Sequence, residues 1–230
     1  MHLYFNNPPY IALIGDIIAS RKLEDRARVQ EKLKTVLTEV NQMYSQVIAS
    51  KFTITLGDEF QGLLVNGAST VDIAELIIRR MHPVRIRYGI GVGSMATQID
   101  PERSLGADGP AYHLARKAID ELKVMERKRM EPRLSMKIEI EGSPDIAEII
   151  NTIFALNTAL KARWAERQRE VIGAYLDGGG TQTEVAGRLG IHQSNVQKAL
   201  SHANFYTYQR AVRTVTQILS DIRGPGSANV

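Results

Sequence analysis

Phe52-Thr-Ile-Thr-Leu-Gly-Asp-Glu-Phe-Gln-Gly-Leu-Leu-Val65 holds two short apolar runs, Phe52 to Leu56 and Phe60 to Val65, on either side of Gly57-Asp58-Glu59. A Gly-Asp pair between alternating apolar runs signals a hairpin, because both residues tolerate the backbone angles of a tight turn. The stretch therefore reads as two antiparallel strands. Upstream, Tyr10-Ile-Ala-Leu-Ile-Gly-Asp-Ile-Ile18 is short, β-branched and broken by a single acid, which suits a buried strand. Residues 24–48 place Val29, Leu33, Val36, Leu37, Val40, Met43, Tyr44 and Val47 at helical spacing. Downstream, 69–81 reads as a helix with Val71, Ala74, Ile77, Ile78 and Met81 inward, and 84–95 as an alternating strand. A loop rich in Gly, Asp and Pro runs to Pro110, Tyr112 to Met125 is helical, and Leu134 to Ile140 alternates as a strand with one wet face.

The first six of these elements follow the order βαββαβ. That order predicts an α+β fold of ferredoxin-like type, an antiparallel sheet with helices on one face. Gly142-Ser143-Pro144 closes the domain and starts a helix, since Ser before Pro suits a helix N-terminus. The chain then reads as helical to about Arg223, and Gly224-Pro-Gly-Ser-Ala-Asn-Val230 as a frayed tail. The expected organisation is an α/β domain over 1–142, a connecting helix over 143–160, an all-α domain over 161–223 and a disordered tail over 224–230.

Thr181-Gln-Thr-Glu-Val-Ala-Gly-Arg-Leu189 opens with a capping box, Thr181 and Glu184, and is preceded by the breaker Gly178-Gly-Gly180. Gly190 ends this short helix where positive φ is wanted, and a second helix runs from about Gln193 to Ala203. A small residue at 186, Gly four later and an aliphatic residue six after that is the spacing of a helix-turn-helix, with Val185, Leu189, Ile191, Val196 and Leu200 as its core. The second helix carries Gln193, Ser194, Asn195, Gln197, Lys198 and His202. Gln and Asn can read adenine edges, and Lys can meet guanine or phosphate. Arg163, Arg167, Arg169, Arg188, Arg210 and Arg213 are placed to meet phosphates of double-stranded DNA. Trp164 reads as core, and a trihelical module that binds protein is the competing interpretation.

Charge supports the first of these. The chain of 230 residues carries a net +4. Residues 1–160 hold 20 Lys/Arg against 20 Asp/Glu, and residues 161–230 hold 9 against 5, so the excess is confined to the C-terminal part. A basic module on a neutral one suits nucleic acid, although a modest solvated surface would look similar. There is no cysteine, which excludes disulfides and cysteine-based zinc sites. No apolar run approaches the roughly 20 residues of a membrane span, and Met1 to Tyr10 lacks the pattern of a secretory signal. A cytoplasmic protein with no membrane partner is expected.

Asp16 stands at the exit of the first strand and Asp58 in the hairpin turn. In a βαββαβ sheet their strands can be neighbours, and two close carboxylates repel unless a cation lies between them. Such a pair suits Mg²⁺ or Mn²⁺ held against a nucleoside triphosphate, with Glu59 as a further acid. The competing interpretation is a good turn and a strand-end cap.

Leu56-Gly-Asp-Glu-Phe60 resembles the GGDEF signature of diguanylate cyclases and equally the hairpin of class III nucleotide cyclases. Asp16-Ile17, Arg87-Tyr-Gly-Ile-Gly-Val-Gly93 and Gly109-Pro-Ala-Tyr-His-Leu-Ala-Arg-Lys117 resemble further cyclase motifs. The combination of Gly15-Asp-Ile-x-x-Ser-Arg21, the Gly-Asp-Glu-Phe hairpin and Asp108-Gly-Pro-Ala-Tyr112, followed by a helix-turn-helix, is most similar to the SatD family of bacterial proteins. The resemblance implies a cyclase- or polymerase-palm-like domain. It implies metal ligation by Asp16, the Ile17 carbonyl and Asp58, and catalytic positions at His113 and Lys117 where the cyclases have Asn and Arg. The base-reading Lys of the cyclases is Phe52 here, so no base is specified. Ser20, Arg21 and Lys22, just after the first strand, are candidates for phosphate contacts.

Three functions are compatible with these features. One is a DNA-binding regulator whose cyclase-like domain binds a nucleoside triphosphate or cyclic nucleotide with Mg²⁺. Another is a nucleotide cyclase or nucleotidyltransferase localised by its helix-turn-helix, and the last an inert dimerising scaffold. A homodimer is expected in each case, since cyclases form their sites between two domains and helix-turn-helix proteins commonly pair on palindromes.

Overall fold

The computed structural model describes Phe5, residues 7–128 and residues 134–222. Strand β1 (Tyr10–Ile17) is buried from Ile11 onward. A 3-10 turn, Ser20–Lys22, follows through Ala19, which has φ 57°. Helix α1 (Arg26–Met43) starts where the Asp25 carboxylate accepts the Arg28 N–H at 2.9 Å. It ends before the expected 48, because Ile48 is claimed by β2 (Ile48–Leu56), where it pairs with Leu64 of β3 (Glu59–Leu64). The turn between β2 and β3 has Gly57 at φ 55°. Then come α2 (Thr70–Met81), β4 (Ile86–Gly93), α3 (Pro110–Lys128) and β5 (Met136–Ile140).

The five described strands form one sheet in the order β2-β3-β1-β4-β5. β1 runs antiparallel to both β3 and β4, and β2 is antiparallel to β3. β5 lies outside the six-element unit and pairs parallel with β4, because α3 carries the chain back across the sheet before β5 begins.

Helices cover both faces of this sheet, not one. Ala12, Ile14 and Leu63 pack under Ala111, Tyr112, Ala115 and Ile119 of α3. Residues of the other parity, Ile11, Leu13, Phe60 and Tyr88, are equally buried, and the Tyr88 hydroxyl feels the charge of Glu75 on α2. The reason for the second layer lies in β4. Its Gly89 and Gly91 face α3, and a Cβ at either would run into the α3 backbone at Ala115 or Ala111. Glycine there lets the helix settle directly on the strand.

The remainder is helical: α4 (Pro144–Ala162), α5 (Glu166–Gly178), α6 (Gln182–Leu189), α7 (Gln193–His202) and α8 (Phe205–Ser220). The chain divides into two compact units, one reaching Ala155 and resuming at Val215, the other Leu156–Thr214. The division thus falls inside α4 and α8 rather than at the expected 142, 160 and 223. In the first unit, the Gly67 N–H donates to the Ile222 carbonyl at 3.2 Å. The second unit has its own core of Val171, Ile172, Val185, Val196, Leu200 and Phe205. Arg223 and the expected tail over 224–230 lie outside the described residues. Among the described residues, no helix is long and apolar enough to cross a membrane.

Candidate functional site

The helical unit is built from the local signals of its sequence. Thr181 caps α6, its hydroxyl accepting the Glu184 N–H at 3.3 Å while the Glu184 carboxylate accepts the Thr181 N–H at 2.6 Å. Gly190 ends α6 at φ 62°, and the Ile191 N–H then donates to the Ala186 carbonyl at 3.0 Å. α7 follows at once, with Val196 and Leu200 buried in the core.

The opposite side of α7 is exposed. Gln193, Ser194, Asn195, Gln197 and Lys198 all face solvent, as does Arg213 on α8. Gln193 donates to the Gln182 side-chain carbonyl at 2.6 Å, and Gln182 donates to the Tyr206 hydroxyl at 2.8 Å. From Val185 to Ser220 the sequence contains no Asp or Glu, yet it carries Arg188, Lys198, Arg210 and Arg213.

The basic residues divide by their partners. Arg188 donates to the carbonyls of Ala174 and Gly179, Arg167 pairs with Glu170, and Arg169 donates to the Lys161 carbonyl beneath the Trp164 ring. These three hold the helices together. Among the described residues, no ion pair or side-chain hydrogen bond engages Arg163, Lys198, Arg210 or Arg213. They remain available for an external anion.

The acidic edge of the sheet is arranged differently from the sequence expectation. The Ile17 N–H donates to the Asp58 carbonyl at 2.9 Å, which lays the hairpin turn beside the end of β1. The Asp58 carboxylate accepts the Ser20 hydroxyl. Asp16 is buried, and its register partners are Glu59 on β3 and Arg87 on β4. Arg87 Nε lies 3.0 Å from Asp16 Oδ2, and Lys123 Nζ of α3 lies 3.7 Å from Oδ1. The Arg87 contact is an ion pair by distance without a directed hydrogen bond from Nε. Arg87 also reaches Glu126 at 3.0 Å, and Arg116 grips Glu59 with two bonds of 2.6 and 2.7 Å. Burial raises the Asp16 carboxyl above its ordinary range, Lys123 and Arg87 pull it back, and Asp58 and Glu59 push it up again.

For Asp16 and Glu59 the compensating cations are therefore the protein's own. Both Asp16 oxygens already face a basic side chain, and among the described residues no group of three or more His, Asp or Glu is arranged to hold a metal ion. Among the described residues, the Asp58 carboxylate is engaged only by the Ser20 hydroxyl, and Ile17 meets the hairpin turn through its N–H.

Residues 10–219 match the SatD family. The chain belongs to the SatD family. No curated protein matches it. Among solved structures, it is similar to a bacterial light-regulated adenylyl cyclase at 16% identity and TM-score 0.39, over 57% of this chain and 75% of the other. It is also similar to the guanylate cyclase domain of RhGC from Catenaria anguillulae in complex with GTP, at 16% identity and TM-score 0.37, over 48% and 71%. A regulator of polyketide synthase expression from Bifidobacterium adolescentis matches over 93% of this chain and 86% of its own, at 12% identity and TM-score 0.26. Likenesses at such scores carry no argument about activity.

The other sequence-derived positions in the SatD chain fall as follows. His113 is exposed and bonded to Asp108 at 2.6 Å, and Lys117 pairs with Glu139 at 2.8 Å. Their partners are thus not the Asp16–Asp58 pair. Ser20 is buried on Asp58, Arg21 is exposed, and the Lys22 side chain lies outside the described residues. The residues that sequence reasoning missed are Arg87, Arg116 and Lys123. The signal for Arg87 was strand parity, since it shares a face with Gly89 and Gly91 and falls opposite Asp16 once β1 and β4 are paired.

Proposed function

We propose that this SatD family chain is a DNA-binding regulator in which α6, the Gly190 turn and α7 form a helix-turn-helix that reads duplex DNA. One observation carries this reading. α7 buries Val196 and Leu200 while turning Gln193, Ser194, Asn195, Gln197 and Lys198 outward, inside a 36-residue stretch, 185–220, that has no acidic side chain. Amide side chains on such a face suit base edges, and Lys198, Arg210 and Arg213 suit phosphates. Two chains on a palindrome would place two α7 helices about one helical turn of DNA apart. Selection of a bound sequence from random duplexes by the full chain tests this. Enrichment of a motif lost in Asn195→Ala is the expected result, and unbiased recovery refutes it.

A second reading concerns the sheet unit, taken as a ferredoxin-like, cyclase-like scaffold that binds a nucleotide. It is favoured by the concentration of Arg87, Arg116 and Lys123 about the end of β1, next to the left-handed Ala19. Backbone held at positive φ in a non-glycine residue is frequent at ligand sites. In this reading the phosphates compete with Asp16 and Glu59 for Lys123 and Arg116, each of which is already paired within the protein, and no resident metal is required. Calorimetric titration with nucleoside triphosphates in the presence of EDTA should then give binding weakened by Lys123→Ala. Binding that requires Mg²⁺ would contradict it.

A further inference from the structure

We propose that a cleft within the helical unit is a binding site for a small organic anion with an apolar body. The cleft encloses about 430 Å³ where the end of α4, the start of α5 and the turn between α7 and α8 meet. That volume falls within the range of small-molecule sites. One side of it is apolar, made by Ala159, Leu160, Trp164 and Ala203, and the other is polar, made by Arg163, Gln168, His202 and Asn204.

The polar side is rich in donors and has no acid. Arg163 is exposed, permanently charged, and free of any ion pair among the described residues. Gln168 has its carbonyl oxygen committed to the Ala165 N–H at 2.8 Å, so its amide nitrogen is the end left for a ligand. His202 offers a ring N–H in either neutral tautomer. Asn204 follows α7 at φ 51°, the left-handed helix end that Asn readily adopts, and its side-chain amide adds a further donor on the polar side. A ligand accepting from this set carries a carboxylate or a phosphate.

The apolar side is rigid. The Trp164 Nε1–H donates to the Ala203 carbonyl at 2.8 Å, and the ring packs edge-on against Tyr208 at 5.2 Å. An apolar ligand body laid on a fixed indole loses little to reordering of the protein. Because His202 and Ala203 also end α7, occupancy would be felt by the helix assigned to DNA. Only that coupling rests on the DNA-binding reading; the site itself does not.

Trp164 is the only tryptophan of the chain, so its emission reports on the cleft. Full-length protein is titrated with phenylacetate, phenyl phosphate and neutral phenylacetamide. The expected result is a saturating emission change with at least one of the two anions, and none with the amide. The anion that binds identifies the headgroup class. Arg163→Met and His202→Gln, with unchanged far-UV circular dichroism, should each weaken the response about tenfold, as loss of a hydrogen bond to a charged group does. Absence of any change, equal titration by the amide, or unaltered curves in both variants would overturn the proposal. DNA binding is measured separately on the same samples. Failure of the titration with DNA binding intact sinks this site alone, and the reverse outcome sinks only the regulator reading.

Discussion

Arg87 and Asp16 carry opposite charges in a nearly dry place, with side chains only 10% and 11% exposed. Removing one partner of a buried pair costs about 3–5 kcal/mol, and with Lys123 still 3.7 Å from Asp16 the loss of Arg87 lies at the lower end of that range. Arg87→Met should therefore lower the unfolding free energy by about 3 kcal/mol, with the larger part relieved when Asp16→Asn is added. Urea denaturation of the single and double variants checks this, and simple additivity would show that the two side chains do not interact. The same pair explains why Mn²⁺ titration followed by electron paramagnetic resonance should reveal no site that depends on Asp16. Glu139 gives a pH signature. Burial alone would raise its carboxyl, but the hydrogen bonds from Lys117 and Lys137 outweigh burial and hold it below the ordinary value. A lowered carboxyl binds its proton less tightly in the fold than in the unfolded chain. Its contribution is thus complete above the unfolded value of about 4.3 and is lost as pH falls through the folded one. Glu139→Gln should flatten the acid limb of the stability curve and leave pH 7 to 8 parallel to wild type. An unchanged acid limb would contradict the assignment.

At the scale of elements, the turn between α6 and α7 depends on one left-handed residue. Nothing surrounds the position where a Gly190 Cβ would stand, so Gly190→Ala costs only the left-handed backbone, about 1–2 kcal/mol. Gly89→Ala acts differently, because its Cβ meets the α3 backbone, and a cost of about 3 kcal/mol is expected from overpacking. Thermal unfolding of both variants should rank them in that order, and equal losses would mean that α3 can move away from β4. The two cases also show what was legible beforehand. The Gly57-Asp58 hairpin, the Thr181–Glu184 capping box and Gly190 are read from neighbours within a few residues, and each forms as the sequence implies. The role of Arg87 depends on β1 pairing with β4, some seventy residues apart in sequence, and on α3 lying against Gly89 and Gly91. The expectation of helices on one face failed for the same reason, since nothing local to 110–128 states which face α3 covers. Acid spacing suggested a cation between Asp16 and Asp58 but could not show that Arg87 and Lys123 already supply the charge.

For the whole molecule, the decisive property is where uncommitted positive charge lies. The first 160 residues balance 20 basic against 20 acidic side chains, whereas Leu156–Thr214 holds 8 against 4. Within that unit Arg167, Arg169 and Arg188 are consumed by internal bonds and Lys161 lies over the Tyr208 ring at 5.7 Å, which leaves Arg163, Lys198, Arg210 and Arg213. Each phosphate neutralised on duplex DNA contributes close to −0.9 to the slope of log affinity against log salt. If most of the four engage, the slope per chain is about −3. Lys198→Ala should bring it about one unit nearer zero, while Arg28→Ala on α1 should leave it unchanged. The most direct test is fluorescence anisotropy of a labelled duplex with the full chain across a salt series, for wild type and Lys198→Ala. DNA binding with a slope near −3 that moves about one unit nearer zero in the variant is the predicted result. A wild-type slope near zero, no binding at low salt, or a slope that Lys198→Ala does not alter would contradict the assignment of α7 to DNA.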